Sequence, residues 1–426
     1  MELDTLIREI LDKKQKYKFI PGKTVIPPSG KLIGFEETKN IILSAFDGWL
    51  TTGRFNQEFQ EKLANFLKVK NLVTVNSGSS ANLLAFSSLT SHLHKERAIT
   101  PGDEIISVAA GFPTTVNPIF QFGAVPVFVD IKLPTYNINE DLIEEAITKK
   151  TKAIMLAHTL GNPFNLSKVT EICKKYNLWL IEDNCDALGT KYKEKFTGTF
   201  GDLATLSFYP AHHITMGEGG AVFTNNFRIK RIVESFRDWG RDCYCEPGEE
   251  NTCKKRFEWQ LGNLPYGYDH KYIYSHIGFN MKITDMQAAC GLAQIDKLDS
   301  FIKKRKSNVD FLKKELSSLQ EQILLPEAEP DSDPSWFGFP ITIKNLNFDR
   351  KEVIQKLTEK KIGTRLLFAG NLTKQPAYIK KKFKISGDLK NTDLIMTNTF
   401  WVGIQPALGE EELAYVAGEL KNIFKK

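Results

Sequence analysis

Trp179-Leu180-Ile181-Glu182-Asp183-Asn184-Cys185-Asp186 decides how this chain reads. The apolar run Leu178–Ile181 stops abruptly at acidic residues. A short apolar run bounded by charge is the pattern of a strand buried on both faces, as in a parallel sheet. Working outward, the same pattern recurs at Glu104–Val108, Val125–Val129, Ala153–Ala157 and Leu203–Phe208. Helical patterns lie between these runs and supply the crossovers that parallel pairing requires. The predicted fold class is α/β with a mostly parallel sheet.

The flanks read differently. Leu3, Ile7, Ile10 and Leu11 fall at helical spacing, and Pro21-Gly22 and Pro27-Pro28-Ser29-Gly30 then form an irregular arm, so 1–36 reads as a helix and arm. Helical patterns follow at Glu37–Asp47 and Asn56–Phe66. A long helical pattern starts at Met286–Ser300 and runs past Lys303. Beyond it, Phe337–Ile343 and Thr364–Phe368 read as strands, and Lys351–Lys360 and Glu410–Ile423 as helices. We expect a large α/β domain over 37–298, with a cysteine-bearing insert at 241–256, and a smaller α+β domain over 299–426.

The 426 residues are 42% hydrophobic and 25% charged, which is ordinary for a globular protein. The net charge of +6 is a mild excess that favours anionic ligands weakly. The basic runs Lys380-Lys381-Lys382 and Lys303-Lys304-Arg305 read as solvated surface; they lack interleaved aromatics, so nucleic-acid binding is not expected. No secretory signal and no membrane span is recognisable, which implies a cytoplasmic protein. Six cysteines in so long a chain do not suggest a disulfide scaffold.

Several segments carry chemistry. Asn76-Ser77-Gly78-Ser79-Ser80-Ala81-Asn82 follows the apolar run Leu72–Val75 and opens a helix at Ala81–Leu89. Free N–H groups and the dipole at a helix N-terminus favour phosphate, although a serine-capped helix alone has the same look. Asp183 closes its strand where open α/β sheets bind ligands, and a carboxylate there can pair with a protonated ring nitrogen. Cys185, Cys243, Cys245 and Cys253 are spaced C-x57-C-x-C-x7-C. Four thiolates suit a two-iron, two-sulfur cluster or a structural zinc, and the absence of paired C-x2-C knuckles leans towards iron and sulfur; free thiols are the other reading. Cys185 lies two residues from Asp183, so their Cα atoms are within about 7 Å, and a cluster there would sit beside the ligand of Asp183. Cys173 and Cys290 fall in helical patterns and read as core.

The order of Gly78-Ser79-Ser80, Asp183 and Ser207-Phe208-Tyr209-Pro210-Ala211-His212-His213 resembles the fold-type I coenzyme enzymes, in particular the DegT/DnrJ/EryC1/StrS sugar aminotransferases. In that family the position of His212 carries the lysine that binds pyridoxal phosphate. Histidine there, with this cysteine spacing, is similar to the dehydratases that act on CDP-4-keto-6-deoxyglucose in 3,6-dideoxyhexose synthesis. Related GDP-sugar dehydratases share the histidine but lack the cysteines.

The resemblance implies an aspartate aminotransferase-like fold and a homodimer whose subunits complete each other's sites. It implies pyridoxamine phosphate as coenzyme, with Gly78, Ser79, Ser80 and Ser207 at its phosphate, Phe112 on its ring face and Asp183 at its ring nitrogen. Asp186 and Tyr209 would orient substrate or coenzyme, His158 would pack near the ring, and Asn280 would approach the coenzyme of the neighbouring subunit. His212 would be the general base; an imidazole with an ordinary pKa of about 6.5 is available near pH 7. A [2Fe-2S] cluster on Cys185, Cys243, Cys245 and Cys253 would pass electrons from an NADH-dependent flavin and iron–sulfur reductase. The substrate implied is a CDP-linked 4-keto-6-deoxyhexose destined for lipopolysaccharide O-antigen, with a dTDP-sugar or plain transamination as alternatives.

Overall fold

The run at Trp179–Asp183 lies in the middle of an eight-stranded sheet. The structure, a computed structural model, describes residues 2–13, 18–245 and 248–425. In chain order the first seven strands of this sheet are β1 (Asn71–Val75), β2 (Glu104–Ser107), β3 (Val125–Phe128), β4 (Thr151–Ala157), β5 (Trp179–Asp183), β6 (Leu203–Ser207) and β7 (Gly220–Thr224). Three further strands, β8 (Ile323–Leu324), β9 (Phe339–Ile343) and β10 (Thr364–Leu366), precede β11 (Lys384–Ile385), and β12 (Thr399–Val402) follows it. The large sheet runs β1-β7-β6-β5-β4-β2-β3-β11; β7 is antiparallel to both neighbours, and the other pairs are parallel. The small sheet runs β8-β9-β12-β10 and is antiparallel throughout.

The strands are apolar because both faces are covered. Successive side chains point to opposite faces, so Ile105 and Ile181 enter one core cluster while Ile106 and Leu180 enter another. Helices α1 to α12 span Leu3–Asp12, Phe35–Phe46, Arg54–Leu67, Gly78–Leu89, Pro113–Gln121, Leu166–Tyr176, Phe227–Arg237, Asp285–Ile295, Leu298–Leu316, Arg350–Glu359, Lys390–Asn398 and Glu410–Phe424. The long pattern from Met286 is two helices, α8 and α9, divided at Asp296-Lys297.

Arg305 is a correction. It is 1% exposed, not part of a basic surface, because helical spacing puts it on the buried stripe with Ile302, Asn308, Val309 and Leu312. The N-terminal arm is tied down by Ile26, whose N–H donates to Lys361 O at 2.8 Å and whose carbonyl accepts from Gly363 N at 2.9 Å. None of the described helices is long and apolar enough to cross a membrane.

Candidate active site

Two consecutive acids end β5, and the strand's period of two separates their roles. Glu182 points into the protein. Its carboxylate accepts from the backbone N–H groups of Gly198, Phe200 and Gly201 at 2.7, 2.9 and 2.6 Å. Asp183 points the other way, into a cleft of about 1310 Å³. Its Oδ2 accepts from Asn82 Nδ2 at 2.7 Å and Thr115 Oγ1 at 2.6 Å, and its Oδ1 from Cys185 N at 3.2 Å. Asn82 rides on α4 and Thr115 on α5, so three elements aim one carboxylate. A carboxylate held this way suits a protonated heterocyclic nitrogen.

His212 is presented by the loop after β6. The loop is closed at its base by Phe208 N to Gly219 O at 2.8 Å and Met216 N to Phe208 O at 2.9 Å. Arg305 pins it from beneath, donating to Phe337 O at 3.0 Å and to His212 O at 3.5 Å. The His212 ring lies 5.1 Å from that of Phe337. Its Nδ1 stands 3.4 Å from Asp186 Oδ1 but is not aligned with it as a hydrogen bond. Burial pushes His212 down to about 4, against the pull of Asp183, so the imidazole is neutral at pH 7. Burial and then the Asp183 charge push Asp186 up to about 8, which keeps it mostly protonated there. A neutral imidazole beside a protonated carboxyl can take and return protons.

The remaining wall is built by close backbone approach. Ser77 caps α4 by accepting from Ser80 N at 3.0 Å, leaving the first N–H groups of the helix to face the cleft. A Cβ on Gly78 would stand 2.4 Å from Ser207 Cβ. Gly78→Ala should therefore cost about 1–3 kcal/mol by overpacking, despite alanine's better helix propensity; a thermal melt together with a phosphate-ligand titration checks it. Phe112 is 52% exposed and faces the cleft, edge-on to Phe368 at 6.4 Å.

The structure thus brings Gly78, Ser79, Phe112, Asp183, Cys185, Asp186, Ser207, Tyr209 and His212 to one cleft. Ser80 turns inward to Ser77 Oγ at 3.0 Å and is not among the lining residues. Asn280 is exposed and pairs through its backbone with Asp238, away from this cleft. His158 does not line the cleft; it is fully buried, stacked on Phe164 at 4.5 Å and bonded to Glu182 at 3.1 Å. Sequence reasoning missed Asn82, Thr115, Arg305 and Phe337. Only Asn82 carried a local signal, standing one turn into α4.

Residues 32–421 match the model of the DegT/DnrJ/EryC1/StrS aminotransferase family. The chain belongs to this family. It is 60% identical over 407 residues to the lipopolysaccharide biosynthesis protein RfbH of Salmonella typhimurium, covering 95% of this chain and 93% of that one. It is 48% identical over 421 residues to dTDP-4-dehydro-2,6-dideoxy-D-glucose 3-dehydratase of Saccharopolyspora spinosa, covering 99% and 91%. Among solved structures, it is similar to the E. coli GDP-4-keto-6-deoxy-D-mannose-3-dehydratase with bound hydrated PLP, at a TM-score of 0.83 and 28% identity, covering 93% of this chain and 100% of that one. The fold is that of the fold-type I aminotransferases, as the motif order implied.

The cysteines fall in two places. Cys243, Cys245 and Cys253 line one small cavity together with His270, while Cys185 lines the main cleft. The four thiols expected to surround one cluster thus line two different cavities. Among the described residues no group of three or more His, Cys, Asp or Glu side chains is arranged to hold a metal ion. Cys185 lines the cleft together with Asp183.

Proposed function

We propose that this chain removes the C3 hydroxyl of a nucleotide-linked 4-keto-6-deoxyhexose, using pyridoxamine phosphate held without a covalent anchor. One observation carries the reading: no lysine is among the described residues that line the cleft, and His212, which by resemblance stands at the family's lysine position, is among them. A lysine-anchored transamination has no nucleophile here. The names of the three reported relatives, two of them sugar 3-dehydratases, support the same reaction class.

The cleft suits the coenzyme. The N-terminus of α4 and the Ser207 hydroxyl would take its phosphate, Phe112 would cover a ring face, and Asp183 would hold the proton on its ring nitrogen. The volume of about 1310 Å³ exceeds the roughly 300–1,000 Å³ of a typical small-ligand pocket, leaving room for a sugar nucleotide as well. When bound, pyridoxamine phosphate supplies an amine that condenses with a ketone and a ring that withdraws electrons. The chain's own part is proton handling. His212, neutral at pH 7, accepts a proton at a ring nitrogen and returns one to the departing C3 oxygen. Asp186 stands 3.4 Å from that ring, and Tyr209 lines the same cleft.

Net deoxygenation also needs two electrons. The sequence shows no GxGxxG turn for a nicotinamide or flavin, so a separate NADH-dependent flavin and iron–sulfur reductase would supply them. A CDP-sugar is the substrate favoured by resemblance, and the likeness to RfbH fits a product used in lipopolysaccharide O-antigen; the dTDP-sugar of the Saccharopolyspora relative is the competing substrate. Turnover of CDP-, dTDP- and GDP-4-keto-6-deoxyhexoses separates these.

The absence of an anchoring lysine at position 212 is tested by restoring one. His212→Lys should gain an imine absorption band on addition of pyridoxal phosphate. A folded variant that binds the coenzyme without that band would remove residue 212 from the coenzyme's carbon.

A further inference from the structure

We propose that Phe337, Trp401 and Leu366 form the wall by which this site selects a 6-deoxyhexose and rejects the same sugar carrying a hydroxyl at C6. The inference rests on the dehydratase reading, which puts C3 of the sugar beside His212, and it assigns the residues that read C6.

The cleft has two unlike sides. The side built on the large sheet is polar: Asp183 ends β5, Ser207 ends β6, and Asp186, Tyr209 and His212 follow on the loops after them. The side built on the small sheet is carbon where it comes nearest His212. Phe337 precedes β9, Leu366 ends β10 and Trp401 lies in β12. The Phe337 ring centroid is 5.1 Å from that of His212, and the Trp401 centroid is 5.6 Å from that of Phe337. Leu366 is 48% exposed and lines the same cleft.

The polar atoms of this wall are already engaged. Trp401 Nε1 donates to Leu366 O at 3.1 Å. Phe337 O accepts from Arg305 Nη1 at 3.0 Å, and Phe337 N donates to Leu160 O at 2.8 Å. Arg365 and Gln375, polar side chains on the same side, are turned onto backbone, each donating at 2.9 Å, to Thr364 O and Ala369 O. The two rings are also held. Both are less than one-tenth exposed, and a Cβ on Gly338 would stand 2.7 Å from Trp401 Cε3, so the indole rests directly on the chain there. A packed wall of this kind cannot swing a polar group towards a new hydroxyl.

Sugar geometry says what meets the wall. In a pyranose, C4 lies between C3 and C5, and C6 is carried on C5. With the C3 oxygen at His212, C6 lies across C4 from it. Asp186, 3.4 Å from the His212 ring, stands on the polar side, and the carbon wall is opposite. The C6 methyl is the one wholly apolar substituent of a 6-deoxyhexose, and its burial against carbon is favourable. A C6 hydroxyl placed there leaves water and finds no partner. Apolar pockets reject an added hydroxyl by about 100-fold, so a preference of about 10- to 100-fold is expected.

Calorimetric titration of the protein loaded with pyridoxamine phosphate tests this. CDP-6-deoxyglucose is compared with CDP-glucose, and the dTDP pair likewise. Each pair differs only at C6, so nucleotide preference cancels in the ratio of affinities. Wild type should favour the 6-deoxy member by about tenfold or more. Phe337→Tyr and Leu366→Asn each add a polar group to the wall and should bring the ratio towards one. Circular dichroism checks folding, and the exposure of Leu366 keeps the second variant usable if the first fails to fold. Equal affinities in the wild type overturn the wall, whatever the turnover. A preference that the folded variants keep undiminished overturns the assignment to these residues. Protein that binds none of the four sugar nucleotides overturns the nucleotide-sugar reading and the wall with it. Turnover of a 4-keto-6-deoxyhexose is measured separately, so preference without turnover counts against dehydration alone.

Discussion

His212→Ala is expected to stop dehydration while leaving pyridoxamine phosphate bound. General acid–base catalysis contributes about 10²–10⁴-fold, and the drop in turnover should fall in that range or beyond, since the imidazole is asked both to take and to return a proton. Binding should survive because the groups suited to coenzyme lie elsewhere: the N-terminus of α4, Ser207, Phe112 and Asp183 share no hydrogen bond with the His212 side chain. The loop should also survive, since it is fastened through backbone groups, Arg305 to His212 O and Phe208 to Gly219 and Met216. The measurement pairs a coenzyme titration with steady-state turnover in the presence of an electron donor. A variant that turns over normally would falsify the assignment; one that loses coenzyme as well would show that the ring is a binding group and not the base. The base should also work well below neutral pH. Burial holds His212 near 4, so the neutral form is present above that value and is lost only as pH falls through it.

Much of this architecture was legible because buried parallel strands are locally simple. Five apolar runs bounded by charges correspond to β2 to β6 within a residue or two at each end. The edges were less legible. β11 is two residues long and follows the run Lys380-Lys381-Lys382, so its place in the sheet comes from tertiary pairing with Val127 and Phe128 and not from its own composition. In the site, residues that sit in a motif were readable: Gly78, Asp183, Ser207 and His212 declare themselves through glycine, charge and position after a strand. Arg305, Phe337, Asn82 and Thr115 act through contacts made only by folding. An arginine among lysines looks solvated until the helix's 3.6-residue period turns it inward, and a threonine 68 positions from its aspartate has no local signature at all. The cysteines show the same limit in another form. Spacing singles out four cysteines, but it carries no information on where the fold puts each of them.

Asp183→Asn should weaken coenzyme binding and slow turnover more than its small change in shape suggests. The carboxylate is an acceptor at both oxygens: Oδ2 meets Asn82 and Thr115, and Oδ1 meets Cys185 N and, at 3.4 Å, Thr205 Oγ1. An asparagine must put its NH2 group on one of these sides, so a donor faces a donor in a buried site whichever way the amide turns. An unsatisfied buried group costs about 1–3 kcal/mol. The charge is lost as well, and with it the means of keeping a ring nitrogen protonated; a hydrogen bond to a charged group contributes about 1.5–3 kcal/mol. At 1.4 kcal/mol per tenfold, that second term alone is about 10- to 150-fold in affinity. The two substitutions separate the two halves of the site. His212→Ala should lower turnover at nearly constant coenzyme affinity, whereas Asp183→Asn should lower both, and excess pyridoxamine phosphate should restore occupancy without restoring the rate. Equilibrium titration followed by absorbance, with turnover measured at saturation, distinguishes them. Full activity in Asp183→Asn at saturating coenzyme would mean that ring protonation is not what this carboxylate provides.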